Sequence, residues 1–306
     1  MALVVLATAM ITRHPRTLLP LALLASALVS AGCVAPLLEP LEEPLLYRPS
    51  ASDKHELELL AAAKNRVEEV RIKTADGLLL HGWLKRPERW RDGERHALVI
   101  FYGGIRQEVS GFVNRARAGD PWGWLVINYR GFGRSQGSPS ERRVVDDARR
   151  IYDWAAARPD IDPANIVVLG RSLGSYVAVA VAASRKVRAA ILATPFDSVA
   201  ALIAQYGLPF GWLMQERYNP SLIAPSVSVP ALFVLAENDG VTPVKNGLAL
   251  ARVWGGKTKT VMLAGAGHTG IELREEFWHS VGEFLAAIEP TSAAAAGPSR
   301  DKSSVH

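Results

Sequence analysis

The stretch that decides the fold is Ile166-Val167-Val168-Leu169-Gly170-Arg171-Ser172-Leu173-Gly174-Ser175. Its first four residues are apolar and mostly β-branched, which reads as a strand buried on both faces. Tyr176 to Ala183 is rich in Ala and Val and fits a buried helix. Between them lies G-x-S-x-G. Strand, sharp turn and helix is the setting in which this pattern presents a nucleophilic serine. The glycines have a mechanical reason: side chains at Gly170 or Gly174 would collide with the neighbouring strand and helix. Such a turn lifts the Ser172 hydroxyl clear of the sheet. It also leaves the Leu173 amide at a helix N-terminus, where a developing oxyanion is stabilised. Taken alone, the same five residues also fit a glycine-rich turn with a capping serine, so the surrounding chain has to decide.

Outward from this point, strands and helices alternate. Ala97 to Phe101 reads as a buried strand ending in Tyr102-Gly103-Gly104, and Trp124 to Tyr129 as another ending in Arg130-Gly131-Phe132-Gly133. Further strands are expected at Val187 to Ala193, Pro230 to Ala236 and Thr260 to Leu263. Ser140 to Arg158 carries Val144, Val145, Ala148, Ile151, Tyr152 and Ala155 at helical spacing. Helices also fit Ser52 to Ala63, Val244 to Trp254 and Glu272 to Ile288. Upstream, Val67, Val70 and Ile72 are separated from Leu78, Leu80 and Trp83 by Asp76-Gly77, a hairpin signal. The pattern predicts an α/β fold: a mostly parallel, doubly wound sheet with an N-terminal antiparallel hairpin.

The chain has 306 residues, 49% of them hydrophobic and 21% charged, enough for one sizeable α/β core. A net charge of +5 is compatible with anionic surfaces, but no helix-turn-helix, zinc-finger or RNP pattern points to nucleic acid. Gly131-x-Gly133-x-x-Gln136 is not a dinucleotide fingerprint, because the next glycine is displaced to Gly137. No H-E-x-x-H pattern or Cys/His cluster suggests a metal, so neither metal nor cofactor is expected.

Cys33 is the single cysteine, which excludes an internal disulfide. Arg13, His14 and Arg16 precede an apolar run from Leu18 to Val29, followed by Ser30-Ala31-Gly32-Cys33. Residues 1–32 therefore read as an export signal. The run is too short, and too interrupted by Pro20, for a span of about 20 apolar residues. Its small-small-Cys ending resembles the lipobox of bacterial lipoproteins. That resemblance implies a lipidated Cys33 as the mature N-terminus and attachment to the membrane of the cell envelope. Ser30 stands where Leu is usual, and cleavage after Val29-Ser30-Ala31 would instead leave a soluble secreted protein. Residues 33–52, with Pro36, Pro40, Pro44 and Pro49, read as a tether. The folded domain is expected over 53–290, and a disordered Ala/Ser/Pro tail over 291–306.

A serine hydroxyl needs an imidazole to take its proton, and the imidazole needs an acid to fix its tautomer. After Ser172, Asp239 follows the strand ending at Ala236, and His268 follows the last strand in a glycine-rich loop. Both belong at the carboxyl ends of parallel strands, where such sheets place their sites. His81 and His96 precede the serine, and His279 falls inside a helical run. For the acid, Asp197 and Glu237 remain rivals. Asp239 is preferred because its Asp-Gly turn before Pro243 ends a clear strand. One oxyanion donor is expected at Leu173, the second at Gly104, with Ile105 as the fallback. Phe196 to Ser228 is far longer than the usual connection of about 2–6 residues. It reads as a small lid whose Tyr206, Phe210 and Trp212, with Tyr102 and Ile105, line a pocket for an apolar acyl substrate.

Tyr102-Gly103-Gly104, N-Y-R-G-F-G-R-S-Q-G-S-P-S-E (Asn128 to Glu141), G-R-S-L-G and E-N-D-G-V-T-P together resemble the α/β-hydrolase superfamily. The nearest branch is that of small serine hydrolases similar to serine aminopeptidases and esterases. The resemblance covers about residues 66 to 290. It implies an α/β-hydrolase fold, a Ser172-Asp239-His268 triad, and cofactor-free hydrolysis of esters, thioesters or amides. The family usually has His-Gly-Asn where this chain has Tyr102-Gly103-Gly104, and Asp where it has Asn128. A different reading is a catalytically silent protein of this fold, binding or scaffolding in the envelope.

Overall fold

The structure, a computed structural model, describes Tyr47 and residues 50–117, 119, 121–205 and 218–288. The export signal, Cys33, most of the tether, Tyr206, Phe210, Trp212 and the tail all lie outside the described residues. The chain divides at Arg48/Pro49, and the second unit carries every element named below. Among the described residues, no helix is long and apolar enough to cross a membrane.

In chain order the elements are α1 (Lys54–Ala62), β1 (Val67–Lys73), β2 (Leu79–Lys85), β3 (His96–Tyr102), α2 (Ser110–Arg115), β4 (Trp122–Ile127) and α3 (Glu141–Ala156). They continue with β5 (Ile161–Arg171), α4 (Leu173–Ala182), β6 (Ala189–Ala193), α5 (Val199–Ala204), α6 (Pro220–Ile223) and β7 (Ala231–Ala236). Then come α7 (Val244–Val253), β8 (Thr258–Leu263), a 3₁₀ turn at Ile271–Leu273 and α8 (Glu275–Ala287). The strands form one eight-stranded sheet in the order β1-β2-β4-β3-β5-β6-β7-β8. β1, β2 and β4 pair antiparallel, and every pairing from β4 through β3 to β8 is parallel.

The burial pattern follows from this order. β3, β4, β6 and β7 are buried along their whole length, as near-continuous apolar runs require when helices cover both faces. β8, at the sheet edge, pairs with β7 alone among the described residues, and most of its residues are exposed. The hairpin forms at Asp76-Gly77, with Gly77 at φ +86°. Its loop is tied inward because Arg130, from the segment after β4, reaches Asp76 (3.0 Å) while pairing bidentately with buried Asp147 of α3 (2.7 Å to each oxygen).

The last helix covers β7 and β8 and reaches into the core. α8 sends Phe277, Trp278, Val281, Phe284 and Leu285 into the core, where Trp278 lies edge-on to Trp124. Phe112 of α2 stacks on Phe101 with rings 3.5 Å apart. Each such side chain, fully buried, is worth about 1.5–3 kcal/mol. α8 starts three residues later than expected, since the preceding residues form the 3₁₀ turn.

Candidate active site

β5 delivers Ser172 at the point where the sheet meets α4. Ser172 has φ +53°, a value side-chain-bearing residues adopt only under constraint. The constraint is packing. A Cβ on Gly170 would lie 2.0 Å from Gly174 O, and one on Gly174 would lie 2.0 Å from Tyr102 O. Glycine at both positions lets strand, turn and helix close to this distance. The Ser172 amide is held by Ala193 O of β6 (2.9 Å), so the turn is pinned from the adjoining strand as well.

Two neighbouring strand ends supply the other groups. Asp239 lies in the turn after β7, where its amide bonds back to Ala236 O (3.2 Å). His268 lies in the loop after β8. His268 Nε2 is 3.0 Å from Ser172 Oγ, and His268 Nδ1 is 3.0 and 2.9 Å from the two Asp239 oxygens. An ionised carboxylate only accepts, so Nδ1 carries the proton and donates, leaving Nε2 to accept from the serine. The Asp239 side chain is almost fully buried. Burial alone would raise its pKa. Hydrogen bonds from His268 and from the Thr242 and Val241 amides outweigh this and hold its carboxyl below the usual carboxylate value.

The rival acids are placed elsewhere. The Asp197 carboxylate accepts from Asn246 Nδ2 (2.8 Å) and from the Ser198 amide (2.9 Å). Glu237 accepts from the Gly265 amide (2.7 Å). Of the other histidines, His81 meets Glu69, His96 meets Arg91 O, and His279 meets Glu283.

Two expectations for the oxyanion side and the pocket need correction. The first is Tyr102 as a pocket residue. Its ring is buried, and its hydroxyl donates to Ala148 O of α3 (3.1 Å), so it fills the layer between β3 and that helix. The second concerns Gly104, expected as the second oxyanion donor. Its backbone stands beside Ser172, since a Cβ there would be 3.7 Å from Ser172 Cβ. Its N–H, however, donates to Gln107 Oε1 (3.0 Å) within the same turn. Ile105 is half-buried in that turn. Leu173 is the first residue of α4, whose leading amides have no partner within the helix.

Sequence reading assigned no role to several residues around these groups. Arg171 donates to Gln107 Oε1 (3.3 Å) and to His268 O (3.0 Å), and its Nε lies 3.4 Å from Glu272. One guanidinium thus ties the loop after β3 to the loop after β8. Thr242 places its hydroxyl against both Asp239 and His268. Asn128 is buried, accepting from the Val109 amide and donating to Glu108, which steadies the loop after β3.

Comparisons with known proteins agree with the fold. The family model described as "Serine aminopeptidase, S33" matches residues 93–223. The uncharacterized protein Rv2307c of Mycobacterium tuberculosis is 30% identical over 254 residues, covering 81% of this chain and 87% of that one. Among solved structures, an α/β hydrolase from Vibrio vulnificus superposes with a TM-score of 0.65 at 19% identity, covering 83% of this chain and 94% of that one. A hyperthermophilic esterase from Pyrobaculum calidifontis gives 0.59 at 23% identity, covering 77% and 90%. The sheet, the turn carrying Ser172 and these similarities lead to one conclusion: the chain belongs to the α/β-hydrolase superfamily, in one family with its Mycobacterium tuberculosis relative.

Proposed function

We propose that the protein is a serine hydrolase that cleaves an ester, thioester or amide through an acyl-enzyme, with Ser172 as nucleophile. The observation that carries this reading is the unbroken chain Ser172 Oγ–His268 Nε2–His268 Nδ1–Asp239, each step 3.0 Å or less, at a strained strand–helix turn. The chemistry follows from the donors and acceptors. As the Ser172 Oγ–carbon bond forms, its proton passes to Nε2 and the carbonyl π pair moves to oxygen. The Leu173 amide, at the start of α4, is the donor assigned to that oxygen. When the tetrahedral centre collapses, the leaving group departs with the proton from Nε2. Water then repeats the sequence on the acyl-enzyme and regenerates Ser172.

The esterase from Pyrobaculum calidifontis shares the fold, which favours ester chemistry as the first to assay. An apolar acyl substrate rests on the aromatic composition of residues 196–228. Export and lipid attachment rest on the basic-apolar-small-Cys33 pattern alone. A fluorophosphonate probe should label the wild-type chain and fail to label Ser172→Ala, and that variant should lose p-nitrophenyl ester turnover by on the order of 10⁴ to 10⁶. A chain that neither labels nor turns over esters, thioesters or amides would favour the silent scaffolding reading. For the anchor, Cys33→Ser should move the protein from the membrane fraction to the soluble one. A mature N-terminus lacking acyl mass would exclude lipidation.

A further inference from the structure

We infer that the Thr242 hydroxyl is a positioning group for catalysis: it fixes the rotation of the Asp239 carboxylate and so the plane of the His268 ring. The inference rests on the serine-hydrolase reading above and adds a residue to it.

The Asp239 carboxylate is held asymmetrically. Oδ1 accepts two backbone amides, from Val241 (2.9 Å) and Thr242 (2.7 Å), and also lies 3.0 Å from His268 Nδ1. Both amides come from the turn itself, and any residue at 242 except proline would provide them. Among the described residues, Oδ2 has no backbone donor. Its protein partners are the Thr242 hydroxyl (2.9 Å) and the histidine. Two amides on one oxygen leave the carboxylate free to rock about its Cβ–Cγ bond. A donor on the other oxygen stops that motion, leaving one open direction, toward Nδ1.

The hydroxyl is itself fixed from behind. Thr242 Oγ1 is 3.0 Å from Thr194 O and 3.1 Å from His268 Nδ1. Thr194 has φ +46°, which a β-branched residue adopts only when its surroundings force it. That conformation places its carbonyl against Oγ1 across the end of β6. One hydroxyl proton therefore faces a carboxylate and a carbonyl. The anion is the stronger acceptor, and the pair is almost dry: Asp239 and Thr242 are 7% and 5% exposed. The Thr194 carbonyl then limits where Oγ1 can move. The arrangement positions and does not react, since Thr242 is on the far side of the imidazole from Ser172.

The test compares Thr242→Val with Thr242→Ser. Valine keeps the shape and the backbone amide and removes only the hydroxyl, whereas serine keeps the hydroxyl. With p-nitrophenyl acetate and butyrate, Thr242→Val should lose about tenfold in kcat or more, as expected for one charge-assisted hydrogen bond. KM should stay within about twofold. Thr242→Ser should recover to within about threefold of wild type. The pH profile gives a readout that mere loosening would not move. The groups facing His268 are Asp239 and Thr242 at Nδ1, Ser172 at Nε2, and Arg171, paired with Glu272, at its carbonyl. With one donor fewer, the carboxylate holds more charge for the imidazolium, so the acid limb of kcat/KM should move to higher pH in Thr242→Val. Equal kcat in wild type and Thr242→Val would overturn the inference. Failure of Thr242→Ser to recover activity would also overturn it, because packing rather than the hydroxyl would then be at work. Fluorophosphonate labelling of the wild type runs alongside. If the wild type is silent, the hydrolase reading itself fails and takes this inference with it. If it labels normally and only the Thr242 ranking is wrong, the hydrolase reading stands.

Discussion

Ser172, Asp239 and His268 come from three strand ends and meet within 3.0 Å. Which acid serves is a question for single substitutions. Asp239→Asn should lower kcat on the order of 10⁴-fold, because an amide cannot hold the Nδ1–H tautomer. Asp197→Asn should stay within about tenfold, because that carboxylate serves Asn246 and the Ser198 amide. Paired measurements on purified, folded variants decide it, and a reversed ranking would move the acid to the end of β6. The serine, the histidine and this acid were legible because each sits beside a glycine-rich turn after an apolar run. Arg171, Gln107 and Thr242 were not. The partners of Arg171 are 64 and 97 residues away, and Thr242 meets His268 across 26. No local pattern announces such contacts. The Tyr102 expectation failed for a related reason: a residue at a strand end can point to either face, and the position of α3 settles which.

At the scale of elements, alternation and buried runs were enough to expect the hairpin, the central strands and α3. The start of β5 escaped notice. Asp162-Pro163-Ala164-Asn165 reads as a turn, yet Ile161 pairs with His96, and the ladder resumes at Ile166 after a register shift. Pairing with β3, not local propensity, extends the strand. The hairpin carries a pH-dependent tie. Hydrogen bonds from Arg130 and then Thr74 lower Asp76 from the usual 3.8 to about 2. A depressed carboxyl stabilises the fold above its unfolded value, and that contribution fades as pH falls through the folded value. Melting temperature should therefore drop between about pH 4 and 2, and Asp76→Asn should flatten that drop. Since Asp76 is half exposed, the effect should be modest. A wild-type slope unchanged by the substitution would assign the acid sensitivity to other groups.

Across the whole molecule, the core lies in the middle of the sheet, while His268 is carried by the strand at its edge. Among the described residues, β8 is bonded on one side only, and most of its residues face solvent. Strands in that position open with little free energy, and they do so without disturbing central pairings such as β3 with β5. Peeling β8 away would remove His268 from Ser172 and uncover Leu263, while the central strands stayed paired. Catalytic competence and foldedness should thus come apart under mild stress. In rising urea, ester turnover should vanish before tryptophan fluorescence reports global unfolding, and amide hydrogens of Thr258–Leu263 should exchange faster than those of Ile166–Gly170. Coincident loss of activity and fluorescence would mean that edge and centre open as one cooperative unit.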